Sequence, residues 1–151
     1  MQIDLQIDAA EAPEPDSIIA WARWASGELL DLPALPEQTE LSIQVLDDTA
    51  VQNLNREFRG KDVPTNVLSF PYEAMPGIDV PLLGDIVLCA PVIAREAAEQ
   101  GKNLHDHWAH MLVHGVLHLR GFDHIRDDEA EEMEALERAI LSAHGVSDPY
   151  E

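Results

Sequence analysis

The stretch His114-Gly115-Val116-Leu117-His118-Leu119-Arg120-Gly121-Phe122-Asp123-His124 sets the reading of this chain. His114 and His118 stand four residues apart. On a helix such residues project from one face, about one turn from each other. Two imidazoles so placed can reach one ion at Zn–N distances of about 2.0–2.1 Å. Gly121 follows three residues after His118 and can take a positive φ, ending the helix and turning the chain. That turn swings His124 back toward the same point. Three nitrogen ligands with a fourth position open describe a catalytic zinc site, in which bound water is acidified. A pair of histidines on a helix is by itself an ordinary surface feature. Here, however, the neighbours are Met111, Leu112, Val113, Val116 and Leu117, and uncompensated imidazoles on such an apolar helix are costly.

Six of the seven histidines lie between His105 and His124. His105, His107 and His110 are expected at the surface or in support of the ligands, and His144 as a cation near a helix C-terminus. The helix carrying the motif is expected from about Leu104 to Arg120. Before it, Pro91 opens a helix that ends near Gly101. After it, Asp127 or Asp128 opens a last helix running to His144. In the first half, Gln2–Asp8 alternates as a half-buried strand, and Asp16 or Ser17 caps a helix carrying Ile18, Ile19, Ala22, Ala25 and Leu29 on one face. Leu41, Ile43 and Val45 mark a second strand. Asp48 or Thr49 starts a short helix with Val51, Leu54 and Phe58 on one side, stopped by Gly60. Asn66–Phe70 is a further strand, and Leu82–Cys89 a buried one interrupted by Gly84–Asp85. The order βαβαββααα predicts an α+β fold, a small mixed four-stranded sheet packed with five to six helices in one domain over 1–151.

With 29 acidic against 9 basic residues, the chain carries a formal charge of −20. A general nucleic-acid coat protein is excluded, since a duplex repels such a field. The single cysteine, Cys89, excludes an internal disulfide framework and a Cys-rich zinc site. The N-terminal residues carry neither a basic region nor an apolar run, so no secretory signal is expected. Nor is a membrane span, which leaves a cytoplasmic protein without a membrane partner as the expectation.

The spacing matches the long zinc-protease signature H-E-x-x-H-x-x-G-x-x-H at His114, His118, Gly121 and His124. It departs at Gly115, where those proteases carry the glutamate that acts as general base. A zinc metallopeptidase is therefore second to some other metal-assisted hydrolysis. Arg56, Arg59 and Lys61 gather at the end of the second helix. They can complement the helix C-terminus, or clamp a phosphate, since a guanidinium fork matches its oxygens bidentately.

The histidine motif, the run from Arg59 through Gly60, Lys61 and Asp62 to Tyr72, and the Leu83-Gly84-Asp85-Ile86 segment together resemble the YbeY family of endoribonucleases. The resemblance extends from about Leu41 to Tyr150. It implies a zincin-like fold, a metal held by His114, His118 and His124, and a functional arginine at Arg59. Asn66 stands where many members carry Asp. Family members act in ribosomal RNA maturation, including 16S rRNA 3′ end processing, and in ribosome quality control.

The expected activity is thus a single-strand-specific, metal-dependent endoribonuclease, a hydrolase acting on ribosomal RNA with the small ribosomal subunit as partner. Zinc, one ion per chain, is the expected cofactor, with another divalent transition metal as the alternative. Arg59 and His114 are the candidate catalytic residues. Asp123, Asp85, Lys61 and Asn66 are further candidates for supporting a ligand or touching substrate. No side chain stands out as general base, and water and the RNA 2′-OH are both open as nucleophile. A metallohydrolase of another kind and a non-catalytic ribosome-binding factor with a structural metal are the remaining alternatives. The open fourth position argues against the last.

Overall fold

A computed structural model of the chain describes residues 1–30, 32–72, 82–123 and 125–150. Its elements follow the expected order: β1 (Gln2–Ile7), α1 (Pro15–Trp24), β2 (Glu40–Leu46), α2 (Asp48–Arg59), β3 (Val67–Pro71), β4 (Leu82–Cys89), α3 (Ala90–Gln100), α4 (Leu104–Leu119) and α5 (Asp127–Ala143). The strands form one mixed sheet in the order β1-β2-β4-β3. β1 and β4 run parallel to β2, while β3 lies antiparallel on the outside of β4. The fold is α+β, with five helices among the described residues.

Strand parity decides which side chains meet the helices. On β2, Leu41, Ile43 and Val45 are buried, and on β4 Ile86 and Leu88 join them in one core with α1, α4 and α5. Val87 and Cys89 point the other way, into a smaller cluster with Val51 and Leu68 under α2. β4 is therefore covered on both faces toward its C-terminal end, which is why Ile86–Cys89 is a continuous apolar run. α4 packs against α1, α3, α5, β3 and β4. Such a helix must be apolar nearly all round, and the residues from His107 to Val113 are all buried.

The Gly84–Asp85 pair does not interrupt β4. Instead the register shifts beside it, Glu40 pairing with Leu82 and Leu41 with Gly84. Gly84 has φ +147, and a Cβ there would lie 2.4 Å from the Phe70 carbonyl oxygen and 2.9 Å from Leu119. Only glycine lets β3 and α4 close onto this strand.

Several local expectations are corrected. α1 begins with Pro15 after Glu14 and has no side-chain cap, because proline's fixed φ and missing N–H suit the first helical position. Trp21 rather than Ile19 is buried on it. α2 is capped by Asp47, whose side chain accepts from Ala50 N at 3.1 Å. Phe58 is 59% exposed, while Asn55 takes the buried place on that helix.

Candidate metal centre and cleft

Asn103 caps α4 by accepting from Asp106 N at 3.2 Å. From there the helix presents His107, His110, His114 and His118 as one stripe at helical spacing. Successive rings lie edge to face, with centroids 6.2, 6.2 and 4.9 Å apart. His107 and His110 are only 4% and 6% exposed, whereas His114 and His118 are half-buried. Of the two expected places, surface or support of the ligands, His105 takes the first, exposed against Trp21, while His107 and His110 are buried behind the cleft and His110 shares the Glu137 carboxylate with His114. His144 caps α5 and stacks flat on Trp24 at 4.1 Å.

Glu137 of α5 partners two of these rings, His110 and His114, while among the described residues the Nδ1 atoms of His107 and His110 are buried without a hydrogen bond. Glu137 is 0% exposed. Its Oε1 lies 3.0 Å from His114 Nδ1, and its Oε2 accepts from the Tyr150 hydroxyl at 2.8 Å and pairs with His110 Nε2. Burial alone would raise the carboxyl pKa. The hydrogen bonds and charge of His110 and His114 outweigh it and hold the group at about 2. An ionised carboxylate only accepts, so His114 Nδ1 is the donor to Glu137, and Nε2 is the ring nitrogen on the far side from it. That is how a carboxylate fixes the tautomer and ring orientation of a metal-ligating histidine.

A second carboxylate does similar work further back. Glu96 of α3 lies 3.0 Å from His107 Nε2 and accepts from Asn66 Nδ2 at 3.1 and 3.2 Å. Burial depresses the His107 pKa, against the opposing pull of Glu96. Asn66 also accepts from Val67 N at 2.7 Å, so its side chain ties the start of β3 to α3.

Among the described residues, His110, His114 and Glu137 form a group whose donor atoms lie within 4.8 Å of one another, making them a possible metal site. These atoms are already joined by hydrogen bonds in a buried setting. The alternative donors are His114 Nε2 and the adjacent His118 ring, and both residues line an open cleft. Imidazole donors of this kind suit zinc and its transition-metal neighbours. His124, the third expected ligand, lies outside the described residues. The turn before it has the expected character, with Gly121 at φ +102.

The cleft, about 600 Å³ in volume, brings Arg59, Lys61, Asn66 and Asp123 to the same wall space as His114 and His118. Arg59 is the last residue of α2, which closes at Gly60 in the left-handed region. Its Nη2 donates to the Ser69 carbonyl at 3.3 Å, which lays the guanidinium along β3. Asn55 donates to the Val63 carbonyl at 2.8 Å and shapes the loop that carries Lys61. Arg56 is drawn off toward Asp62, 3.5 Å away. Among the described residues no carboxylate pairs with Arg59 or Lys61.

Asp85 is not brought to this cleft. Strand parity sends it to the opposite face from Ile86, where it is exposed and lines separate grooves. Arg120, inside the histidine motif, is structural: it donates to the carbonyls of Ala25 and Gly27 at 2.7 Å and of Pro33 at 2.8 Å. Gly115 faces the core. A Cβ there would stand 3.2 Å from Ile86, so a glutamate at this position would meet the sheet.

Glu137, Glu96, Asn55 and Tyr150 were not picked out by sequence reasoning. For Glu137 a signal existed, since Met133, Leu136, Glu137, Ile140 and Leu141 share the buried face of α5. A lone carboxylate at helical spacing within an apolar stripe needs a buried partner.

The sequence profile of the family described as Endoribonuclease YbeY matches residues 2–145. In fold, the chain is similar to the solution structure of TM1509 from Thermotoga maritima. The two are 20% identical, 99% of each chain is covered, and the TM-score is 0.55.

Proposed function

Since the chain belongs to the YbeY family of endoribonucleases, we propose that residues 1–151 form one metal-dependent endoribonuclease domain that cuts single-stranded ribosomal RNA. The reading extends to 16S rRNA 3′ end processing and ribosome quality control, with the small ribosomal subunit as partner and the cytoplasm as location. No helix among the described residues is long and apolar enough to cross a membrane. The observation that carries the proposal is the single cleft in which Arg59 and Lys61 face His114 and His118. In a chain of charge −20, this local pairing of cations with metal-donor chemistry suits a phosphodiester.

His114, His118 and His124 would hold one zinc ion or a similar divalent metal, and Glu137 would orient His114 from behind. When bound, such an ion supplies Lewis-acid stabilisation to a phosphoryl oxygen. The chain's own contribution is positional and electrostatic. Arg59, steadied on the Ser69 carbonyl, neutralises charge that builds on the non-bridging oxygens. Lys61 adds a second cation at the mouth. Asp123 lines the same cleft and stands beside the ligand turn. Nothing on α4 supplies the carboxylate that a zinc peptidase uses on water, because position 115 is a glycine packed against Ile86. The metallopeptidase reading therefore stays second.

The test is to incubate the purified chain with labelled single-stranded RNA, duplex RNA and casein, each with and without a chelator. Chelator-sensitive cleavage of the single strand alone is expected. Chelator-sensitive hydrolysis of casein with intact RNA would make the peptidase reading the better one.

A further inference from the structure

Two features remain unused by the cleft: the exposed Phe58 and the carboxylate Asp85. They meet on the other side of the sheet. There the outward-facing residues of neighbouring strands stand in register, Ser42 beside Asp85 and Asp85 beside Phe70, with Gln44 beside Val87. Phe58 leans over this edge and meets Phe70 edge to face, ring centroids 5.5 Å apart. Ser42, Gln44, Phe58, Phe70 and Asp85 thus line a groove of about 360 Å³. One wall is aromatic. The opposite wall is polar: Asp85 only accepts when ionised, Ser42 carries a hydroxyl, and Gln44 donates one amide N–H to Gln6 at 3.0 Å.

We propose that this groove is a nucleobase subsite, taking one base of the RNA strand whose phosphate lies at Arg59; the proposal rests on the endoribonuclease reading. Phe58 and Arg59 are consecutive on α2, and their contacts, Phe70 and Ser69, are consecutive on β3. A strand leaving the metal cleft over the end of α2 therefore meets the phenyl ring next. The charges fit a base and not a phosphate. Asp85 repels a phosphate from the groove, while the cations Arg59 and Lys61 stand on the other side of β3, in the cleft. Bases of single-stranded RNA are commonly held by stacking on aromatic side chains and by hydrogen bonds to their edges. The acceptors select a base with an exocyclic amino group, as a carboxylate accepts from cytosine N4. Uracil, which presents two carbonyls around one N–H, is disfavoured there.

The experiment uses the full chain and a labelled single-stranded RNA in which an abasic site is walked along the sequence. Binding is read by fluorescence anisotropy with chelator present, and cutting is read separately with metal. Phe58→Ala should weaken binding about 5- to 150-fold, the usual range for losing one stacked base, and Phe58→Trp should restore it. In the wild type, one abasic position should weaken binding equally, and at that position Phe58→Ala should add nothing. Asp85→Asn should erase the preference for an amino-bearing base there. A flat abasic walk, or a Phe58→Ala variant that binds as wild type, would overturn the subsite even if the strand is cut normally. A flat walk together with competition by a basic peptide would assign the groove to a protein partner and overturn it too. Base-dependent binding without any cutting would leave the subsite standing and remove the nuclease reading. A wild type that binds no single strand removes both.

Discussion

Replacing Glu137 tests whether the buried carboxylate holds His114 ready for a metal. In Glu137→Ala, His110 Nε2, the Tyr150 hydroxyl and His114 Nδ1 all lose their carboxylate oxygen, and among the described residues His110 Nε2 and the Tyr150 hydroxyl keep only each other at 3.3 Å. Breaking a buried charged network from one side costs about 3–5 kcal/mol. Against a typical domain stability of about 5–15 kcal/mol, this is a large fraction. For a chain of this length it corresponds to a drop in Tm of about 6–20 °C. Glu137→Gln is the more informative change. It keeps the shape, but an amide has only one accepting oxygen, so one of the two histidines must face an N–H or change tautomer. Loss of such an orienting partner typically weakens metal binding about 10–100-fold, or about 1.4–2.8 kcal/mol. Thermal melts of the metal-free protein give the first number, and competition with a chromophoric chelator the second. If both variants melt and bind metal as the wild type does, Glu137 is no orienting group and the reasoning is wrong.

Three further outcomes follow from the same geometry. Alanine at His114, His118 or His124 should sharply lower bound metal by elemental analysis, whereas alanine at His105 or His144 should leave it intact; full occupancy in the first three would sink the ligand assignment. Arg59→Glu should abolish RNA cleavage with metal content and Tm nearly unchanged, and Arg59→Lys should recover only part of the activity, because an ammonium makes no bidentate contact. Gly115→Glu should not create a peptidase but should destabilise the fold by about 1–3 kcal/mol or more, from crowding Ile86 and burying a carboxylate; a stable variant that hydrolyses casein would contradict the packing argument.

How much of this was legible in the sequence depended on whether the signal was local. The element order follows from alternation in β1 and β2, from helical spacing, and from glycine and proline punctuation, and Leu82–Cys89 has the bounds its apolar run predicts. The strand order is not local, since nothing in β3 says that it lies beyond β4 and antiparallel to it. The pairing of His114 and His118 on one helix face is a spacing signal, and both do line the cleft. Glu137 was hidden differently. It sits in α5 among Glu129, Glu131, Glu132 and Glu134, a run that reads as a solvated face, and only its register with Met133 and Leu141 sets it apart. Phe58 misled by the same periodicity. It continues the spacing of Val51 and Leu54, yet α2 by then overhangs the edge of the sheet and the ring is left exposed. Asp85 stood out as a carboxylate after a glycine, but its face depends on the parity of β4, which is set by what Ile86 packs against.

The most direct test of the central claim is single-turnover cleavage of a labelled single-stranded RNA by the metal-loaded chain, run beside the chelated chain and Arg59→Glu. Internal cutting is expected from the metal-loaded wild type and none from the chelated chain or from Arg59→Glu, both of which stay folded. Equal cutting in all three, or none in any, would contradict it.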